Sequence, residues 1–148
     1  MRYEAESAIV KARSIINRYN TRDPWTVAEY LPGVQVVKRD LGANIMGYTL
    51  VAARRAIINL STAQSYSSAS GVLAHELGHS QLTRSADTNY FYRNASVART
   101  GSAEYIANCF MFQFMFGDRG GINPLNYDQI LEEYELPQWM VRYFELIR

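Results

Sequence analysis

The chain contains two histidines, and both lie in the segment His75-Glu76-Leu77-Gly78-His79. This is an H-E-x-x-H pattern. On a helix, residues four positions apart lie on the same face, so the two imidazoles can bind one metal ion. Zn²⁺ is the expected ion, because imidazole suits it and it lowers the pKa of a bound water to about 7. Glu76 can accept a proton from that water, and the pattern therefore predicts hydrolysis of an amide bond.

A pattern this short also arises by chance on a surface helix that carries two unrelated histidines and a solvated glutamate. The flanking residues argue against that alternative, because one side of the segment is apolar and the other is small. The apolar residues are Val72, Leu73, Leu77 and Leu82, and the small ones are Gly71, Ala74 and Gly78. Such a helix is expected to pack against a core and to let a second helix approach closely.

A catalytic zinc site normally has three protein ligands, and Glu104 is the candidate for the third. It lies 25 residues after His79, near the start of the apolar segment 102–116. A carboxylate in such a helix is costly unless it is paired or bound to a metal. The alternative is a carboxylate that only stabilises the helix N-terminus through the macrodipole. In that case Asp87, in the loop before this helix, is the next candidate for the third ligand. Asn108, one turn after Glu104, is predicted to accept the Nδ1–H of a zinc-bound histidine or to bond Glu104.

The sequence LAHELGHSQL, followed downstream by E-x-x-A-N-x-F, resembles the ImmA/IrrE family of zinc metallopeptidases from bacteria, phages and other mobile elements. The likeness extends through most of the chain. It implies a gluzincin-like site with His75, His79 and Glu104 as zinc ligands and Glu76 as general base. The chain departs from many members at Ile106, where they carry a second acidic residue.

The resemblance implies a zinc endopeptidase that cleaves one regulatory protein, typically a helix-turn-helix repressor of a mobile element. The alternative is a binding protein, an antirepressor or a toxin–antitoxin component, in which zinc is structural. The presence of Glu76 favours the enzyme, because a structural zinc site needs no carboxylate beside an open coordination position. The sequence does not predict the substrate, the cleavage site or the oligomeric state.

Composition predicts the setting of this site. A chain of 148 residues with 48% hydrophobic content is expected to form a single domain over residues 1–148. A net charge of +1 does not favour nucleic acid or membrane as the partner, and a protein partner is expected. The single Cys109 excludes an internal disulfide and suits a reducing compartment. Glu4 and Glu6 stand where a signal peptide would be basic, so we expect a cytoplasmic protein.

The predicted fold is α+β, with a small sheet packed against a mainly helical, zincin-like domain. Helices are predicted over 3–19 and, after the capping residue Asp23, over 24–31. Strands are predicted over 34–38, 44–52 and 54–60, forming an antiparallel sheet. The segment 54–61 is the expected sheet edge, either binding an extended peptide by strand addition or serving as plain sheet.

Two further segments have alternative interpretations. Residues 83–100 are predicted to form mainly a long loop, where Tyr90 or Tyr92 either packs or donates its phenol to the oxyanion; packing is the favoured interpretation. Residues 127–144 are predicted to form two short helices joined at Leu136-Pro137, faintly similar to a helix-turn-helix. Because glutamates predominate there, packing under the zinc site is preferred to DNA binding.

Overall fold

The structure is a computed structural model that describes residues 2–84, 90–93 and 101–148. Helices and strands follow one another in an α+β arrangement, as predicted. The helices are α1 (Arg2–Tyr19), α2 (Pro24–Tyr30), α3 (Tyr66–Leu82), α4 (Ser102–Phe116), α5 (Tyr127–Glu133) and α6 (Arg142–Leu146), with a 3₁₀ turn over Gln138–Val141. The strands are β1 (Val34–Arg39), β2 (Ile45–Ala52), β3 (Arg55–Ser61) and β4 (Tyr90–Tyr92).

Side-chain caps fix where two of these helices begin. The carboxylate of Asp23 accepts a hydrogen bond from the Trp25 N–H, and Pro24 occupies the first turn, as the sequence predicts. The hydroxyl of Ser65 accepts from the Ser68 N–H and starts α3. Because α3 begins there, the whole H-E-x-x-H pattern lies inside a regular helix.

The sheet differs from the predicted one in pairing and in strand number. Its order is β1-β3-β2-β4, and β1 pairs with β3 in parallel. Strand β2 is antiparallel to both β3 and β4. The prediction of a wholly antiparallel sheet is therefore wrong, because the chain reverses twice and β3 returns between β1 and β2 after a turn at Ala53 (φ 56°). The fourth strand, Tyr90–Tyr92, lies in the segment predicted to be mainly loop.

The predicted sheet edge is also wrong. Strand β3 is central, and its side chains Ala56, Ile58 and Leu60 are completely buried. A nearly continuous apolar run is typical of a strand with covered faces, and this signal was present in the sequence of β3. Among the residues that the structure describes, the outer strands of the sheet are β1 and β4.

Helix α4 runs through the core and brings its first turn to the middle of α3. A Cβ atom placed on Gly78 would lie 3.1 Å from the Cβ of Phe110 and 3.2 Å from the Cα of Ala107. The expected close helix approach therefore occurs at Gly78, where no side chain separates the two backbones. The C-terminal segment covers this core, with Leu131 and Phe144 both buried. Within the described ranges, no helix is both long enough and apolar enough to span a membrane.

We predict that Gly78→Ala lowers the free energy of unfolding by ~1–3 kcal/mol, because the added methyl group would press on the α4 backbone. Gly71→Ala is the matched control on the same helix, since its added Cβ would meet only Tyr134 at an ordinary 3.4 Å. There, the better helix propensity of alanine should raise stability by up to ~1 kcal/mol. Urea unfolding of both variants tests the contrast. Equal behaviour of the two would contradict a tight contact at Gly78.

Candidate metal centre

Helix α3 carries His75, Glu76 and His79 into the protein interior. Their exposed fractions are 1%, 0% and 7%, so none is a solvated surface residue. Burying three polar side chains on one helix is costly unless they have partners. The surface-helix alternative for the H-E-x-x-H pattern therefore does not describe this chain.

The three predicted ligands converge on one point. The Nε2 atoms of His75 and His79 lie 3.2 Å apart. From Glu104, Oε2 lies 3.2 Å from the His75 Nε2 and Oε1 lies 2.8 Å from the His79 Nε2. Two ligands of a tetrahedral zinc, each at 2.0–2.1 Å, are separated by about 3.3 Å. The observed spacing is thus close to that of one ion's ligands, and the group can hold a metal ion.

The contact between Glu104 and His79 has a further property. Although the two atoms are 2.8 Å apart, Glu104 Oε1 has no hydrogen-bond partner among the described residues. The pair is therefore close without the alignment of a donor and an acceptor. Two ligands that both point at a shared ion have this geometry. The macrodipole alternative explains a carboxylate in the first turn of α4, but it does not explain why the carboxylate faces both imidazoles.

Electrostatics keep Glu104 ionised. Burial alone would raise the pKa of the Glu104 carboxyl, but the favourable electrostatic interaction with His75, followed by that with the nearby His79, outweighs it. The pKa of Glu104 therefore lies well below its usual range. A carboxylate must be deprotonated to bind a metal, so this environment prepares Glu104 for that role.

Glu76 has a different environment although it adjoins His75. Its Oε1 accepts a 2.6 Å hydrogen bond from the Thr49 hydroxyl on β2. Its Oε2 lies 4.0 Å from the His75 Nε2 and has no hydrogen-bond partner among the described residues. Complete burial raises the pKa of Glu76 to about 7, although the charge of His79 and the bond from Thr49 oppose the rise. One oxygen is thus fixed, and the other stays available beside the metal-binding atoms.

Three residues at this site were missed by the sequence analysis. Thr49 holds Glu76, and the Thr83 hydroxyl lies 2.7 Å from the Nδ1 of His79. The ring of Phe91 on β4 packs edge-on against His75, with centroids 4.8 Å apart. Thr83 could have been found as a polar residue one helical turn after a candidate ligand. Thr49 and Phe91 come from strands, and no local spacing relates them to α3.

Asn108 does not make either predicted bond in this structure. Its Nδ2 donates a 3.2 Å hydrogen bond to the Tyr143 hydroxyl, and its Oδ1 has no partner among the described residues. The Tyr143 side chain is completely buried against α4, and its hydroxyl is the partner of the Asn108 amide nitrogen. Tyr90, one of the two tyrosines considered as a donor to the oxyanion, packs on Tyr48 with ring centroids 5.0 Å apart. Asp87, a candidate replacement for Glu104, lies outside the described residues.

Comparison with known proteins adds one relative. No protein-family model matches the chain, and no solved structure matches it. The chain is similar to a protein of Bacillus phage phi105 described as "Uncharacterized immunity region protein 2". The two are 28% identical over 112 residues, which cover 74% of this chain and 70% of the phage protein. The chain thus resembles a protein of a phage immunity region.

We predict that the protein binds about one equivalent of zinc and that Glu104→Ala loses most of it, because two imidazoles alone hold the ion weakly. Elemental analysis after dialysis measures the metal. A chelator should lower the melting temperature of the parent by several degrees and should hardly change that of Glu104→Ala. The control is Glu132→Ala, which removes an exposed glutamate and should bind zinc as the parent does. Unchanged zinc in Glu104→Ala would place the third ligand elsewhere.

A pH dependence follows for the metal-free protein. The pKa of Glu76 is near 4.5 in an unfolded chain and about 7 in the folded one. The folded state therefore holds this proton more tightly, and stability is lost as the pH rises through that window. Between about pH 5 and about pH 8, the free energy of unfolding should fall by ~3 kcal/mol more in the parent than in Glu76→Gln. Denaturant unfolding in the presence of a chelator measures this difference.

A second variant makes this pH test more specific. Thr49→Val removes the hydroxyl that lowers the pKa of Glu76, so its stability should fall further at high pH than that of the parent. All other ionisable groups are shared by the parent and both variants. Parallel stability curves for the parent and Glu76→Gln would show that Glu76 titrates normally in the folded protein.

Proposed function

We propose that this protein is a zinc-dependent endopeptidase of the ImmA/IrrE type that cleaves a regulatory protein, such as a helix-turn-helix repressor of a phage or mobile element. The observation that carries the proposal is the convergence of His75, His79 and Glu104 beside the buried carboxylate of Glu76. Three ligands leave a fourth position open for water and substrate, which is the pattern of a catalytic rather than a structural zinc site.

The donor set fits zinc. Two imidazole nitrogens and one carboxylate oxygen are among the ligands that zinc prefers in hydrolytic enzymes. When bound here, zinc would polarise the peptide carbonyl and acidify a coordinated water. Thr83 keeps His79 oriented through the 2.7 Å contact to its Nδ1, which leaves Nε2 free for the ion.

Glu76 is proposed as the general base and then the general acid. The positive charge of a bound ion would favour its carboxylate form, so it can accept the proton of the attacking water through Oε2. As the water oxygen bonds to the carbonyl carbon, that proton passes to the amide nitrogen and the C–N bond breaks. The bond from Thr49 to Oε1 prevents the side chain from rotating away during these transfers.

Strand β4 is the proposed guide for the substrate backbone. It is the outer strand of the described sheet on the side of the metal centre, because its Phe91 touches His75. An extended peptide that adds to this edge would pass beside the open metal position. Strand addition remains the proposed mode of binding, but it is assigned to β4 instead of the central β3.

A regulatory target is supported by the similarity to the phage immunity region protein. A formal charge of +1 gives no general attraction to nucleic acid, which favours a protein as the partner. The alternative function is a non-proteolytic antirepressor or toxin–antitoxin component that binds the same kind of partner. The two functions differ in whether Glu76 is needed.

We predict that Glu76→Gln retains zinc and its fold but loses cleavage, because an amide of nearly the same size cannot accept the proton of water. The expected fall in rate is ~10²–10⁴-fold. The assay incubates zinc-loaded protein with each purified helix-turn-helix repressor that neighbouring genes are found to encode, and it follows the fragments by mass spectrometry. A reporter under that repressor supplies the comparison in cells. If Glu76→Gln relieves repression as fully as the parent, binding alone carries the role and the endopeptidase proposal is wrong.

A further inference from the structure

A pocket opens directly beside the metal centre. Its apolar walls come from β4 and from the turn that follows α5. The residues in these walls are Tyr90, Phe91, Tyr92, Pro137, Trp139 and Met140. Glu104 lines this pocket and is also one of the three candidate metal ligands. Phe91 lines the pocket and packs against His75. The pocket therefore begins where a substrate held at the metal would extend its next side chain.

The charges around this pocket restrict what it can accept. Among the described residues in its lining, Glu104 alone carries a charge, and that carboxylate faces the two histidines. A charged side chain of either sign would lose its hydration against these apolar walls. An uncharged aromatic side chain avoids this penalty and gains from contact with Trp139 and Met140.

Asn108 adds a specific polar group to the pocket. Asn108 is 2% exposed and lines the pocket. Its Nδ2 donates a hydrogen bond to the Tyr143 hydroxyl. Its Oδ1 has no hydrogen-bond partner among the described residues. A buried amide left in this state is costly, so it should be satisfied when the pocket is filled. A phenol suits this position, because it can donate or accept a hydrogen bond.

We propose that this pocket binds the substrate side chain next to the scissile bond, and that it selects an aromatic residue with a hydrogen-bonding atom, such as tyrosine. Trp139 and Met140 determine the preference for size, and Asn108 determines the preference for the polar atom. This proposal rests on the proposed function, since it takes the metal as the point that anchors the substrate. It specifies the type of residue that would stand beside the cleaved bond of the target protein.

The test uses amino-acid hydroxamates, which bind zinc through the hydroxamate and place one side chain nearby. Titration calorimetry of the zinc-loaded protein gives a Kd for the glycine, phenylalanine, tyrosine and glutamate compounds, with metal-free protein as the blank. The tyrosine compound should bind at least roughly tenfold more tightly than glycine and roughly threefold more tightly than phenylalanine. Glutamate should gain nothing over glycine.

Variants connect this preference to the pocket. Trp139→Ala should bring the ratio of the glycine Kd to the tyrosine Kd close to one, and Trp139→Phe should keep much of that ratio. Leu125→Ala, at a side chain that is 95% exposed and outside the pocket lining, is the matched control and should behave as the parent.

Each other result contradicts a defined part of the proposal. Equal Kd values for glycine and tyrosine would overturn the pocket while leaving the metal centre intact, and so would an aromatic preference that survives in Trp139→Ala. Equal values for phenylalanine and tyrosine would overturn the role of Asn108. If no hydroxamate binds to the zinc-loaded protein, the open metal position itself is wrong and the proposed function fails with it.

Discussion

The close approach of α3 and α4 is the constraint on which the site depends. His75 and His79 come from one helix and Glu104 from the other, so the ligand atoms can meet only if the two backbones are almost in contact. Gly78 permits this because it lies between the two histidines and directly opposite Ala107. A side chain at this position would have to displace α4. Helix packing and metal geometry are therefore one requirement in this fold.

This arrangement places two carboxyl groups and an imidazole close together inside a small core. Glu76, His75 and Glu104 lie within a few ångströms of one another, and the first two are almost completely buried. The two carboxyls have different pKa values for this reason. Glu104 faces two imidazoles and stays ionised, whereas the complete burial of Glu76 outweighs the charge of His79 and the bond from Thr49, so Glu76 holds a proton more tightly. A bound cation would relieve the remaining repulsion. The site is thus expected to be less stable without its metal, as functional sites often are.

The sequence predicted those features of the fold that depend on local spacing. The positions of α2, α4 and the first three strands, and the helical setting of His75 and His79, followed from caps, apolar periodicity and β-branched runs. The ligand candidates followed from an i, i+4 pair and from a carboxylate in an apolar helix. The parallel pairing of β1 with β3 could not be predicted in this way, because it depends on which strand lies in the middle. Burial of both faces of β3 decides that, and among the local signals in the sequence only the apolar run of β3 indicates it.

Contacts between distant segments were equally inaccessible. Thr49 lies 27 residues before Glu76 in the sequence, and only the packing of β2 on α3 brings the two side chains together. The bond of Asn108 to Tyr143 depends on a C-terminal segment whose fold gave only a weak sequence signal. Strand β4 was hidden for a different reason, because Tyr90–Tyr92 is too short to show an alternating pattern.

One ion pair shows how these distant segments form a single cleft. Arg93, which follows β4, donates a 2.7 Å hydrogen bond to Glu135, and the other oxygen of Glu135 accepts bonds from the backbone and hydroxyl of Ser65. Ser65 in turn caps α3, the helix that carries the histidines. Arg93 also donates to the carbonyl oxygen of Ala43, just before β2. One partly exposed glutamate therefore connects three segments. They are the strand proposed to guide the substrate, the segment leading into the pocket wall, and the start of the metal-binding helix. Glu135 adopts a left-handed backbone conformation (φ 55°) in the tight turn between α5 and Pro137, so the contacts of its carboxylate depend on this turn.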